Sequence, residues 1–304
     1  MKFVPCKRAV DSCAIISSTL VCVRLTMTVL TFSVLVGLGS FVAGFLGALT
    51  GLGGGVVIVP LLALVFGIDI RYAIGASLVS VIATSSGAAA AYVREGFSNI
   101  RIGMFLEIAT TIGAIVGAMI ATKVSTGTIG IIFGLVLLYS AYLSIHPQPD
   151  LPPDTAPDRF ARILKLNGSY PTADGPTKYT VHRVPLGFGL MFGAGTLSGL
   201  LGIGSGAVKV LAMDQAMRVP FKVSTTTSNF MIGVTAAASA GVYLSRGYID
   251  PGIAMPVMLG VLAGSLTGAR VLLRAKTKSL RYIFGAVIVV LGFEMIFNGF
   301  TGRL

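Results

Sequence analysis

The chain has 304 residues, 54% of them hydrophobic and only 11% charged, with 39 glycines and a mean hydropathy of +0.89. Soluble domains carry about 25% charged residues, so the composition excludes a soluble globular protein and points to a polytopic membrane protein. The net charge of +12, from 23 Lys and Arg against 11 Asp and Glu, falls in short loops between apolar runs, which fits anchoring in a bilayer and argues against a nucleic-acid partner.

Residues 1–27 form an N-terminal extension that holds all three cysteines, Cys6, Cys13 and Cys22. They lack CxxC spacing and imply neither a metal site nor a disulfide framework. The apolar pattern begins directly after Met27, which makes Met27 an alternative start. Five apolar segments follow, at about 28–50, 54–68, 72–93, 102–122 and 128–145, and together they make a first transmembrane repeat over 28–145. Residues 146–185 are rich in proline and aspartate and read as a soluble, solvent-exposed linker with a short amphipathic helix at 158–166. Five more apolar segments, at about 186–201, 205–217, 223–245, 252–273 and 279–299, make a second repeat over 186–300.

Shifting the sequence by 151 residues aligns the two halves without a gap. Gly51, Gly53 and Gly55 then fall on Gly202, Gly204 and Gly206, and Ser77, Thr84, Tyr92 and Gly113 fall on Ser228, Thr235, Tyr243 and Gly264. The second segment of each half is too short to span the ~30 Å hydrocarbon core comfortably at 1.5 Å per residue. The bases decide whether it crosses. If all segments cross, Arg94, Arg101, the linker bases, Arg218, Lys222 and the basic run from Arg270 to Arg281 share one side, against Arg71, Lys123, Arg246 and Arg303 on the other. The expected fold is therefore all-α and integral to the membrane, with about ten transmembrane segments arranged as two inverted five-segment repeats with short second helices. Inverted repeats of this kind recur in secondary transporters, with the site near the midplane.

Two glycine runs carry the chemistry. "GLGGG" (51–55) and "GIGSG" (202–206) each precede a short helix, and their backbone would dip below the membrane surface. The helix ends behind Gly53, Gly54 and Gly55 and behind Gly204, Ser205 and Gly206 would then converge on a central anion; close helix packing is the competing explanation. Lys209 follows the second run, where the first has Ile58. A lysine at mid-membrane costs about 2.5–3.5 kcal/mol, so Lys209 reads as a cation facing a substrate cavity, against the alternative of pairing with Asp214. The hydroxyls and amide of "STTTSN", with Thr227, Ser228 and Asn229, and Ser77 in the first half, could complete a shell around an oxyanion; bonding back to their own helices is the alternative. Glu107 and Glu294 are candidate proton carriers, with Glu107 expected in a partly solvated place near its helix start. Arg71 and Lys222 read as interfacial anchors, and "GAIVG" (113–117) and "GSLTG" (264–268) as packing seams. His146 and His182 have no metal-ligand spacing, and nothing matches a nucleotide loop or hydrolase motif, so an enzyme is not expected and no cofactor is implied.

The stretches "AGFLGALTGLGGGVVIVPLL" (43–62), "IGASLVSV" (74–81), "SGLLGIGSG" (198–206) and "VSTTTSN" (223–229) resemble the sulfite exporter TauE/SafE family. The resemblance covers roughly residues 30–145 and 186–300. It implies a multi-pass transporter of the plasma (bacterial inner) membrane that moves sulfite, sulfoacetate or other organosulfonates, with export the implied direction. Alternating access, with the proton gradient as a candidate coupling partner, is the expected mechanism; a channel-like anion pore and a membrane scaffold subunit are the alternatives. The substrate, the direction of transport, the coupling ion and the oligomeric state stay open at this point; Ser205 and Lys209 depart from the family's pattern.

Overall fold

The computed structural model describes residues 29–50, 55–94, 98–145, 158–172, 175–204, 206–272 and 277–302. In the first half these form α1 (Val29–Thr50), α2 (Gly55–Pro60), α3 (Ile70–Arg94), α4 (Ile100–Ala121) and α5 (Thr126–Ile145). In the second half they form α7 (Val184–Leu201), α8 (Gly206–Leu211), α9 (Phe221–Ser245), α10 (Pro251–Leu272) and α11 (Thr277–Thr301). Both short helices run on into a π-helical turn, at Leu61–Val65 and Ala212–Ala216. Adding 151 to the bounds of α2, its π turn, α3 and α4 reproduces those of α8, its π turn, α9 and α10. The duplicated sequence is thus a duplicated set of elements.

Glycine decides how the long helices meet. Gly113 of α4 lies on the Phe192 carbonyl of α7, and Gly117 lies on that of Thr196 one turn further along. An added methyl at either would strike backbone that cannot move aside, so the seam depends on the missing side chains. The counterpart seam obeys the same rule: Gly260 of α10 lies on Gly37 of α1, and Gly264 lies on Phe41. Residue numbers rise together across both seams, so α1 runs parallel to α10 and α4 parallel to α7. Between α5 and α11 they run oppositely, with Gly127 on Gly299 and Gly134 on Gly292. The expected packing role of the GxxxG runs is what these contacts show.

Large apolar side chains cover the exterior. On α4, Met104, Ile108, Ile112, Ile115 and Met119 are exposed along one stripe, while Leu106, Ala114, Gly117 and Ala118 face inward. Such a stripe suits lipid, which meets apolar surface without cost. Among the described residues, Ile100–Ala121, Val184–Leu201 and Pro251–Gly268 are long and apolar enough to cross a membrane, and shorter apolar helical stretches accompany them.

The segment between the halves departs from expectation in two ways. It is not helical alone: after α6 (Arg159–Ile163) comes a hairpin of β1 (Gly168–Thr172) and β2 (Gly175–Tyr179), paired antiparallel with Gly168 opposite Tyr179. Glycine and proline there disfavour helix and leave extended pairing as the way to satisfy the backbone. Nor is it wholly solvent-exposed. Ala161, Leu166, Tyr179 and Val181 are buried in one cluster with Ile102 and Leu106 of α4 and with Met213 and Met217 after α8. Asp158 Oδ2 accepts from the Val184 amide, capping α7, and the His182 amide donates to the Met217 carbonyl at 3.0 Å. The linker's apolar residues thus have a surface to cover. The N-terminal extension and residues 146–157 lie outside the described residues.

Candidate functional site

Gly55, the last residue of the first glycine run, meets the second run inside the bundle. A Cβ on Gly55, at the start of α2, would sit 2.9 Å from Ser77 Oγ and 3.3 Å from the Gly202 carbonyl oxygen. Ser77 Oγ donates to that carbonyl at 2.8 Å, tying α3 of the first half to the glycine run of the second. Gly202 and Gly204 have φ of +69° and +70°, a left-handed conformation that side chains with a Cβ disfavour. Gly202 closes α7, its amide donating to the Ser198 carbonyl at 2.8 Å, and the chain then turns into α8. Gly204 lies beside Ile232 and Val81, and Gly206 beside Ile232 and Ser228. Gly53, Gly54 and Ser205 lie outside the described residues.

Lys209 is wholly buried, at 0% exposure. Its Nζ donates to Thr235 Oγ1 of α9 at 2.5 Å, so its partner is not Asp214. The same Thr235 oxygen lies 2.7 Å from Glu107 Oε1 on α4, to which its hydroxyl can donate. Glu107 Oε1 also accepts from Thr111 at 3.2 Å, while Oε2 is buried and accepts no hydrogen bond. Glu107 is 8% exposed, which corrects the expectation of a partly solvated carboxylate. Position near a helix start does not solvate it, because α7, α9 and the linker pack over that part of α4. Charges removed from water are tolerable only when paired and hydrogen-bonded; the lysine and the glutamate, joined through one hydroxyl, meet that condition except at Glu107 Oε2. Glu294, by contrast, is exposed on α11.

The hydroxyls are already engaged. Ser228 Oγ donates to the Gly206 carbonyl at 3.3 Å, Ser224 to the Val219 carbonyl, and Thr226 to the Lys222 carbonyl. Thr227 Oγ1 accepts from the Asn99 amide at 3.1 Å, and Asn229 is half-buried beside them. Gly55, Ser77, Gly204, Gly206, Lys209, Thr227 and Ser228 are all buried; Gly55 and Ser77 meet Gly202, and Ser228 meets Gly206, whereas Lys209 contacts Thr235 and Thr227 contacts Asn99. Arg71 is a brace: its Nη2 donates to the Val124 carbonyl at 2.8 Å and its guanidinium lies over the Tyr248 ring. Lys222 is exposed.

Sequence reasoning missed Thr235 and Asn99. Thr235 stood out only as the repeat counterpart of Thr84. Asn99 caps α4 through Ile102, and its side-chain amide donates to Leu166 and Tyr179 of the linker. It thereby joins the linker to Thr227. A pocket of about 280 Å³ opens beside it, lined by Ser98, Asn99, Arg101, Asn167 and Tyr179 among others. Burial pushes the Tyr179 hydroxyl up from its ordinary range, partly offset by the bond from Asn99.

An apolar exterior around a sealed pair of opposite charges is the construction of a membrane protein that handles charge in its interior. The model of the sulfite exporter TauE/SafE family matches residues 36–295, and the chain belongs to that family. It is 27% identical over 277 residues to a probable membrane transporter protein, YunE, of Bacillus subtilis, covering 89% of this chain and 99% of the relative. It is 25% identical over 278 residues to a probable membrane transporter protein of Xylella fastidiosa, covering 90% and 98%. With YdhB of Bacillus subtilis, also a probable membrane transporter protein, identity is 25% over 230 residues, covering 75% and 84%. No solved structure matches the chain. The protein is a membrane transporter of this family.

Proposed function

We propose that the protein is a secondary transporter that carries small sulfur-containing anions (sulfite, sulfoacetate or other organosulfonates) across the plasma membrane by alternating access, in the direction of export. The observation that carries this reading is Lys209, a fully buried cation three residues beyond the second glycine run. A cation held there can exchange its internal partner for an anion, which a purely packing lysine has no reason to do. The glycine backbone at Gly55, Gly204 and Gly206 lets an oxyanion approach without a Cβ in the way, and Ser77, Thr227, Ser228 and Asn229 supply polar groups close by. Gly53, Gly54 and Ser205 belong to the same proposed shell.

Helix directions support an inverted repeat. In an inverted repeat α5 runs antiparallel to α4, and α11 antiparallel to α10. Since α5 also opposes α11, α4 opposes α10; and since α1 follows α10 while α7 follows α4, α1 opposes α7. Five crossings per half produce that inversion. Rocking of one half against the other about a shared central site is the motion such symmetry favours.

The test is flux from proteoliposomes loaded with sulfite or sulfoacetate. Saturable efflux with counterflow is expected, and Lys209→Ala should weaken substrate binding by at least tenfold. Absence of flux for every sulfur anion, together with unchanged binding in Lys209→Ala, would overturn the reading.

A further inference from the structure

We propose that Glu107 is the proton-carrying counter-charge of the anion site, neutralising Lys209 when no anion is bound and taking up one proton when an anion binds. This rests on the reading of Lys209 as the cation that meets the substrate. Its support is the geometry of three side chains from three helices. Thr235 on α9 accepts from Lys209 Nζ, and its single hydroxyl proton faces two acceptors, Glu107 Oε1 at 2.7 Å and the Met231 carbonyl of its own helix at 2.9 Å. Lys209 and Glu107 therefore share the Thr235 hydroxyl between them. Glu107 Oε2 is buried and accepts no hydrogen bond. A proton placed on it leaves the bonds from Thr235 and Thr111 to Oε1 intact.

Charge balance supplies the coupling. One lysine cannot neutralise both a carboxylate and an incoming anion away from water, and an unpaired buried charge is strongly disfavoured. Protonation forms an O–H bond at Oε2 and turns the carboxylate into a neutral acid, leaving Lys209 to the anion. On release the O–H bond breaks, the proton returns to water and the original pair re-forms. The groups around Glu107 do not substitute for this exchange. Along Val184–Leu201, α7 carries no titratable side chain. Lys222 at the start of α9 and Arg101 on α4 are exposed, and the Tyr243 hydroxyl is bonded to the Gly199 carbonyl. Tyr179 is bonded to Asn99, and Asp214 lies in the π turn after α8.

Proton and anion then move together, so an inward proton gradient works against export, and net export rests on the anion's own outward gradient. The test uses the full chain in detergent and methanesulfonate, a monoanionic organosulfonate whose single charge is fixed between about pH 6 and 8. Calorimetry in buffers of different ionisation enthalpy should show close to one proton taken up per anion bound. Affinity should weaken by up to tenfold per pH unit on the alkaline side. In Glu107→Gln both the proton uptake and the pH slope should vanish. Binding by the wild type without proton uptake, or an unchanged slope in Glu107→Gln, overturns the proposal and leaves the anion reading standing. No binding of methanesulfonate, sulfoacetate or sulfite by the wild type overturns the anion reading, and this proposal with it.

Discussion

Ile58 and Lys209 stand at the same position of the two halves, both wholly buried, yet their surroundings diverge. Lys209 is held by Thr235 and, through it, Glu107. The repeat counterparts of those two residues are Thr84 and Met258; Thr84 bonds to the Ser80 carbonyl of its own helix as Thr235 does to that of Met231, but Ile58 and Met258 stand where the charges are in the other half. The backbone was duplicated, but the charge pair exists on one side only. The symmetric elements thus set the backbone frame, while a single asymmetric network places charge inside it. A charge at one of two equivalent places also avoids holding two like cations near each other in a medium of low dielectric.

The asymmetry is easiest to break by copying the charge. Ile58→Lys puts a cation where no carboxylate waits, and should destabilise the protein by about 3–5 kcal/mol. Adding Met258→Glu should recover part of that loss, as read by thermal melts in detergent; an additive double variant would show that the two positions do not face each other. Lys209→Met strands Glu107 and should cost a comparable or slightly smaller amount, with Glu107→Gln in the same chain restoring stability. The seams offer a control in which the halves should behave alike. Gly113→Val and Gly264→Val should each cost about 1–3 kcal/mol through overpacking against backbone, and a large difference between them would break the symmetry argument. Ser77→Ala removes the tie from α3 to Gly202 and should cost about 1 kcal/mol.

The smallest effect belongs to the linker. Because burial raises the Tyr179 pKa in the folded protein, its contribution is complete below its ordinary value of about 10 and is lost as pH rises beyond it. Alkaline titration should therefore loosen the linker, followed by exchange of amides near Val181, and Tyr179→Phe should remove that pH dependence.

Much of this could be read before any coordinates. Segment bounds of 72–93 and 102–122 became helices at Ile70–Arg94 and Ile100–Ala121, because apolar length and glycine breaks are local properties of the chain. Gly113 and Gly264 were readable as seams because small residues one turn apart leave room for backbone and little else. Lys209 stood out because lysine is costly in an apolar run. Its partner did not: Glu107 comes from the other half, and no periodicity links α4 to α8. Glu107 was also expected to be partly solvated, since the covering by α7, α9 and the linker depends on how distant helices pack. The hairpin at 168–179 was missed because proline and glycine exclude helix without announcing a strand partner.

Composition, spacing and the repeat by themselves determined a duplicated helical membrane protein with two glycine runs and one misplaced cation. Only the tertiary structure decided that the runs touch through Gly55, Ser77 and Gly202, and that Thr235 joins Lys209 to Glu107. The reason is physical. Hydrophobicity and backbone preference act over a few residues and leave a pattern in the chain, whereas electrostatic pairing in the interior depends on which distant helices close-packing brings within a hydrogen bond of each other.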